Sequence, residues 1–276
     1  MSFQDDKIPI NKLLKNLQND ESSQPQAILL ACGSYYPIHK FHIEIFEITK
    51  KYLEEKKKYK VVLGYISPSS DKYIYQKYPK DKISQDDKIK MTQDKKIKMI
   101  QDNRIKMIKL ITNESSWIDI TTWELSQNNA IDILNYNQVV KHISTFLNEK
   151  TEQVKQALKG RQLKIIYLCG LDQALKKERQ GLKYLENYEI AIVERFFNSE
   201  DKVEDWIKNG KEKLSEKYKD KWQILENQIF FIDCNNNNEI SSTKIREWLK
   251  KDDDNWKQMC HPKIVEYIEE KNILAS

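Results

Sequence analysis

Six short apolar runs recur along the chain: Ala27 to Ala31, Val61 to Ile66, Trp117 to Ile120, Ile165 to Cys169, Glu189 to Val193 and Ile229 to Ile232. Runs this short and this continuously apolar suit strands buried on both faces. Between them, apolar positions return every third or fourth residue, the rhythm of helices packed on one side. Helices are predicted at about Ile43 to Glu54, Arg104 to Thr112, Ala130 to Lys159, part of Asp201 to Gln228, Ser242 to Lys250 and Pro262 to Lys271. The alternation predicts an α/β fold, a doubly wound and mainly parallel sheet flanked by helices. Residues 1–25 read as an N-terminal tail, and residues 26–276 as one domain. A ligand of such a sheet belongs at the carboxyl edge, where Gly33, Ser67, Gly170 and the polar run Asn235 to Asn238 should gather.

The first strand runs into Gly33-Ser34-Tyr35-Tyr36-Pro37-Ile38-His39-Lys40-Phe41-His42 and then into a helical pattern. A strand, a glycine turn and a helix start form the phosphate-binding geometry of doubly wound sheets, because the turn admits an anion to the backbone. His39 and His42 are spaced to face one polyanion together, although two histidines at that spacing also suit a metal pair or a plain surface. No carboxylate completes a zinc-protease motif beside them, which weighs against a metal.

Near the other end, Ile240-Ser241-Ser242-Thr243-Lys244-Ile245-Arg246 places three hydroxyls, a lysine and an arginine at a helix start. Free N–H groups, a positive dipole end and a planar guanidinium favour an anion. The same residues also make an ordinary N-cap, and the segment alone does not choose between the two readings.

One stretch departs from this order. Asp86 to Gln93, Asp94 to Gln101 and Asp102 to Lys109 are three near-copies of one eight-residue unit. An eight-residue step advances a helix by about 80° beyond full turns, so the three copies should not pack alike as a single helix. The first two copies read as an exposed insertion at about 80–103, with a partner-binding or oligomer-forming element as the competing reading.

Composition narrows the class. The chain has 276 residues, 47 basic and 42 acidic, and a net charge of +5. The charges lie in mixed runs rather than on one basic face, so a nucleic-acid partner is not expected. No apolar stretch approaches the roughly 20 residues that cross a bilayer, and no signal pattern opens the chain, so a soluble intracellular protein without a membrane partner is expected, cytoplasmic or nuclear. Lys56-Lys57-Lys58 with Lys60 suits a helix end better than a nuclear signal. The four cysteines form no CxxC pair and suit a reducing compartment, with Cys32 and Cys169 read as core; Cys260-His261 lacks partners for zinc.

Taken together, these segments resemble the eukaryotic-type nicotinamide mononucleotide adenylyltransferases, members of the nucleotidyltransferase superfamily marked by HxGH and ISSTxxR motifs. The likeness runs through Leu29 to Ser34 with Pro37, Ile38 and His42; Gly64 to Pro68 with Asp71 and Tyr73; Trp117 to Ile120 with Thr122, Trp123 and Glu124; Leu168 to Asp172; Ile192 to Arg195; and Ile240 to Arg246. Only the last repeat copy, at Arg104 to Met107, resembles the family's helix. The combination is far more specific than any one motif.

The resemblance implies a Rossmann-like fold and transfer of the adenylyl group of ATP to nicotinamide mononucleotide, or its acid form, giving NAD and pyrophosphate. It implies His42 and Arg246 as catalytic groups. Gly33, Ser34, His39, His42, Gly170, Asp172, Ser241, Ser242, Thr243 and Arg246 would bind ATP, with Asp172 accepting from the ribose hydroxyls or, alternatively, capping a helix. Ser34, Tyr35, Tyr73, Lys72 or Lys77, Trp117, Trp123, Glu124, Tyr184 and Arg195 would serve the mononucleotide, with Trp117 read equally well as core. Mg²⁺, or another divalent cation, would be held mainly by the ATP phosphates rather than by the protein. A homo-oligomer is compatible with the family, but no interface is legible.

Two positions depart from the family. The basic position two residues after Tyr73 is Tyr75, and the aromatic expected after Trp123 and Glu124 is Ala130. Tyr184, or a residue of the insertion, is the expected replacement for the ring that stacks on the pyridine. Readings kept beside this one are a same-fold adenylyl- or cytidylyltransferase with another acceptor, and a non-catalytic nucleotide-binding or chaperone-like protein.

Overall fold

A computed structural model describes residues 7–77, 93–127, 133–175, 181–182, 185–194, 203–234 and 240–273. Six parallel strands form one sheet: β1 (Gln26–Gly33), β2 (Lys60–Pro68), β3 (Ile118–Ile120), β4 (Leu163–Cys169), β5 (Glu189–Glu194) and β6 (Ile229–Asp233). Their spatial order is β3-β2-β1-β4-β5-β6, so the winding reverses between β1 and β4. That reversal opens a crevice above the strand ends and fixes where a ligand can sit. All six strands lie on the apolar runs of the sequence.

The helices are α1 (Asn11–Gln18), α2 (Lys40–Lys56), α3 (Asp71–Lys77), α4 (Gln93–Thr112), α5 (Trp123–Ser126), α6 (Tyr136–Thr145), α7 (Glu152–Leu158), α8 (Leu171–Ala174), α9 (Val203–Lys217), α10 (Trp222–Glu226), α11 (Ser242–Leu249), α12 (Asn255–Met259) and α13 (Pro262–Lys271). The core divides into two layers because side chains alternate across a strand. Ile28, Leu30 and Cys32 of β1 pack in one layer with residues of α1, α6 and α7. Ala27, Leu29 and Ala31 pack in the other with residues of α2, α4, α11 and α13. The four cysteines are buried thiols outside any disulfide, Cys32 and Cys169 among them.

The structure departs from or adds to the sequence reading at three places. Within residues 1–25, read as a tail, α1 buries Leu13 and Leu17 completely. It is tied down by Lys12, whose Nζ donates to the carbonyls of Thr112 and Ile118 at 2.7 Å each, and by Asn16, which donates to the Val62 carbonyl at 2.8 Å. Beyond it, Arg161 pairs with Asp20 at 2.6 Å and donates to the Leu17 carbonyl at 3.1 Å.

The predicted helix Ala130 to Lys159 is divided. Asn135 caps α6 through a reciprocal pair with Gln138, a π-helical turn spans Phe146–Lys150, and the Thr151 hydroxyl closes that turn by donating to the Phe146 carbonyl at 2.7 Å. In the repeat region, α4 begins at Gln93, so the second and third copies share one helix. Met107 and Ile108 of the third copy are buried, while their counterparts in the second, Met99 and Ile100, are exposed and half-buried, in keeping with a step of about 80° between copies. The first copy lies outside the described residues apart from its last residue.

Candidate active site

The turn after β1 is shaped by Tyr35. Its backbone takes the left-handed conformation (φ 48°), which folds the ring back over Gly33, and its hydroxyl donates to the Ala31 carbonyl at 3.0 Å. A Cβ at position 33 would lie 3.0 Å from that ring, so close approach favours glycine there. Burial, aided by nearby Cys32, Tyr136 and Glu124, pushes the Tyr35 phenol well above its ordinary value. Tyr35 is therefore a fixed neutral wall.

His39, buried, stands at the start of α2 in extended conformation. Its backbone N–H donates to Nδ1 of His42 at 3.1 Å, and the edge of one ring meets the face of the other between Tyr35 and His42, with centroids 4.9 Å apart. Both imidazoles line the crevice.

From the C-terminal side comes α11. The Ser241 hydroxyl caps it by accepting the Lys244 N–H at 3.1 Å, and the Ser242 hydroxyl donates to the Pro37 carbonyl at 2.8 Å. Arg246, one turn further on and 6% exposed, donates to the carbonyls of Tyr36 at 2.6 Å and Ser242 at 3.1 Å. The two terminal motifs, more than two hundred positions apart, are thus fastened to each other. Both earlier readings of the serine segment have a place here, since Ser241 caps the helix while Ser241, Ser242 and Thr243 line the crevice.

The opposite walls come from β2 and β4. On α3, Tyr73 and Lys77 face the crevice, and Lys77 Nζ donates to the Ser34 hydroxyl at 3.2 Å. After β4, Gly170 and Asp172 line it; Gln173 beside them donates through Nε2 to the Cys32 carbonyl and the Tyr167 hydroxyl, both at 2.8 Å. The enclosed space is about 380 Å³, the size of a small-molecule site. Ring nitrogens, an ammonium and hydroxyls stand around the β1 turn and α11, with a carboxylate across from them. The arrangement can hold a polyanion by one end and a hydroxyl-bearing group by the other.

Gly33, Ser34, Tyr35, His39, His42, Tyr73, Lys77, Gly170, Asp172 and Ser241 to Thr243 therefore share one crevice. Other expected residues fall elsewhere. Lys72 is exposed on α3 outside the crevice lining, so Lys77 is the lysine in place. Trp117 packs in the core beside Phe46, donates to Glu47 at 3.0 Å and carries Lys50 over its ring, as its core reading requires. Arg246 is not itself in the lining; its guanidinium donates to the carbonyls of Tyr36 and Ser242 and, at 3.4 Å, to the Thr243 hydroxyl that is. Glu124 is fully buried and accepts the Ser70 N–H at 3.1 Å, holding the loop before α3. Trp123 lies flat against His142 of α6, with ring centroids 3.8 Å apart and planes 10° apart. Burial, with a smaller contribution from Lys150, lowers the His142 pKa below its ordinary value. Tyr184, Arg195, Ala130 and the run Asn235 to Asn238 lie outside the described residues.

Sequence reasoning missed Arg104. It is fully buried and donates through Nε to the Ser34 carbonyl at 2.7 Å, through one terminal nitrogen to the Ser69 carbonyl at 2.7 Å, and through the other to Asp71 at 3.3 Å. A signal existed, because the matching residues of the first two repeat copies are Lys88 and Lys96.

A doubly wound parallel sheet with a donor-lined crevice at its switch point defines a nucleotide-binding α/β domain. More particularly, the chain belongs to the cytidylyltransferase-like family, whose model matches residues 94–248, more than half of its length. It is similar to nicotinamide/nicotinic acid mononucleotide adenylyltransferase 1 of Bos taurus, 25% identical over 299 aligned positions that cover 93% of this chain and 92% of the bovine protein. A shorter match, 47% identical over 53 residues, joins 19% of the chain to 17% of nicotinamide/nicotinic acid mononucleotide adenylyltransferase 2 of Xenopus tropicalis. Among solved structures, Plasmodium falciparum nicotinic acid mononucleotide adenylyltransferase is similar at a TM-score of 0.49 and 16% identity, over 90% of this chain and 96% of that one. No helix among the described residues is long and apolar enough to cross a membrane.

Proposed function

We propose that the protein is a nucleotidyltransferase that joins the adenylyl group of ATP to nicotinamide mononucleotide, or to its nicotinic acid form, releasing pyrophosphate. The observation that carries this reading is the meeting of the Gly33 to His42 turn and the Ser241 to Thr243 helix start in one crevice, with Asp172 opposite. The end-to-end likeness to the bovine adenylyltransferase supports it.

In this reaction a phosphate oxygen of the mononucleotide attacks the α-phosphorus of ATP. The bond from that phosphorus to the β-phosphate oxygen breaks, and pyrophosphate leaves with the electron pair. No protein nucleophile is needed, so the chain's task is alignment and charge neutralisation. His42 suits the second role: its Nδ1 already accepts a hydrogen bond, so the neutral ring carries its proton on Nε2, ready to donate to phosphate oxygens. His39 and the hydroxyls of Ser241 to Thr243 would grip the triphosphate, while Asp172 would accept from the adenosine ribose. Arg246 would act by holding Tyr36 and Ser242 in place. Lys77 and Tyr73 would meet the mononucleotide phosphate.

Mg²⁺ would enter on the triphosphate and neutralise its charge. The residues fit that role better than a protein-held ion, because the lining offers donors and, among the described residues, no three His, Cys, Asp or Glu side chains cluster as ligands.

The test is a coupled assay for NAD formation from ATP, Mg²⁺ and nicotinamide mononucleotide, with His42→Ala beside it to exclude a contaminant. Turnover that disappears in the variant supports the proposal. ATP binding without NAD formation would keep the nucleotide half and assign a different acceptor.

A further inference from the structure

We propose that Arg104 is a positioning residue for the acceptor side of the crevice, one that sets the place of Tyr73 and Lys77 by clamping three separate segments at once. Its guanidinium meets the Ser34 carbonyl on the turn after β1, the Ser69 carbonyl at the end of β2, and the Asp71 carboxylate on the first residue of α3. These are the two loops that flank the crevice on its β2 side, together with the helix that carries Tyr73 and Lys77. A second link runs the same way, as the Ser69 N–H donates to the Gly33 carbonyl at 2.8 Å. Lys77, a turn and a half along α3, closes the circuit by donating to the Ser34 hydroxyl. Moving the clamp therefore moves the ammonium relative to the turn that it serves.

Only an arginine suits this place. Its donors leave a rigid plane in fixed directions and remain charged, whereas a lysine offers one nitrogen that cannot span acceptors on three segments. The repeat isolates the point. The equivalent positions are Lys88 and Lys96 in the first two copies, and arginine stands in the copy whose side chain meets the Ser34 carbonyl. Arg104 is completely buried and Asp71 nearly so, and both lie behind the lining rather than in it. A buried charge with its partners aligned holds its neighbours stiffly, because any shift leaves it uncompensated.

The kinetic consequence rests on the reaction proposed above; the structural one does not. The experiment compares the whole protein with Arg104→Lys, Lys77→Ala and the double variant. With folding checked by circular dichroism, Arg104→Lys should raise the KM for the mononucleotide about ten-fold, as misplacement of a positioning group does, and change the KM for ATP less than about two-fold. The double variant should fall well short of the product of the two single effects, because Arg104 acts in part through the Lys77 ammonium. Effects that multiply, or equal losses for both substrates, would overturn the proposal. If Arg104→Lys does not fold, Asp71→Asn, which loosens one arm of the clamp, takes its place in the same cycle.

Amide exchange gives a readout free of the reaction. Residues 69–77 should exchange faster in Arg104→Lys than in the wild type, while β4 and β5 keep their rates. Equal exchange in residues 69–77 would overturn the clamp even in an active enzyme. A wild type that makes no NAD would instead sink the functional reading, leaving the exchange result to decide the clamp.

Discussion

The imidazoles of His39 and His42 lie stacked, with ring centroids 3.6 Å apart and planes 26° apart, and the backbone N–H of His39 donates to Nδ1 of His42. The stack and the hydrogen bond together hold His42 in one orientation before any ligand arrives, with its remaining proton on Nε2. Preorganised donors of this kind account for much of the rate of phosphoryl chemistry. Replacing His42 by alanine should lower kcat by about 10²- to 10³-fold while ATP binding persists. Steady-state kinetics beside calorimetric titration with ATP separates the two effects. A kcat within a few-fold of wild type would remove His42 from the chemistry.

Gly170 and Asp172 stand close enough that a single methyl group should be felt. A Cβ at position 170 would sit 2.9 Å from Asp172 Oδ1, so Gly170→Ala must turn that carboxylate. If Asp172 accepts from the ribose, losing a hydrogen bond worth about 1 to 1.5 kcal/mol raises the KM for ATP about five- to ten-fold. Unchanged nucleotide affinity would reassign Asp172 to the start of α8.

His142 makes stability depend on pH. Its pKa when folded lies below the ordinary imidazole value of 6.5, so the unfolded chain binds the proton more readily. The contribution of this group is therefore complete above about pH 6.5 and is lost as the pH falls through the lower folded value. Urea midpoints measured from pH 8 to pH 5 should fall less steeply for His142→Phe, which keeps an aromatic ring against Trp123 without the titration. Parallel pH profiles in the two proteins would count against this assignment.

Leu17 gives α1 a measurable role in stability. Its side chain is fully buried in the layer shared with β1, α6 and α7. Leu17→Ala should lower the unfolding free energy by about 2–5 kcal/mol, the range for a leucine deleted from a packed core. A loss under half a kilocalorie per mole in chemical denaturation, on the order of a surface change, would return this helix to the status of a tail.

Deleting Asp86 to Gln101 should leave turnover intact, since it spares the third repeat copy with Arg104, Met107 and Ile108. Loss of folding or activity in that variant would make the first two copies part of the working enzyme.

Much of the sheet was legible because each strand is a continuous apolar run, and a parallel strand buried on both faces has no other way to be written. The two segments that meet at the crevice were legible because each joins a turn or cap to its own helix start. What escaped had weak local signals. Helix α1 has two turns, no side-chain cap and three leucines among polar residues. Arg104 and Gln173 act on main-chain carbonyls 70 and 141 positions away, a role that no residue type advertises. Trp117 and Trp123 carried the right residue types, but the assembled sheet, which no local pattern fixes, buries both of them in the core, one in each layer.

The N-terminal helix also sets an order of events. Its anchors lie about a hundred positions downstream at Thr112 and Ile118, and the grip of Arg161 on Asp20 spans 141 positions. Contacts so distant in the chain are closed slowly, because the intervening loop must first be ordered. In a growing polypeptide α1 can meet β2 through Asn16 and Val62 but is fully fastened only after Arg161 emerges, with Leu13 and Leu17 partly open to solvent or to a chaperone in the interval. Helix α1 is thus made well before the last of the residues that secure it.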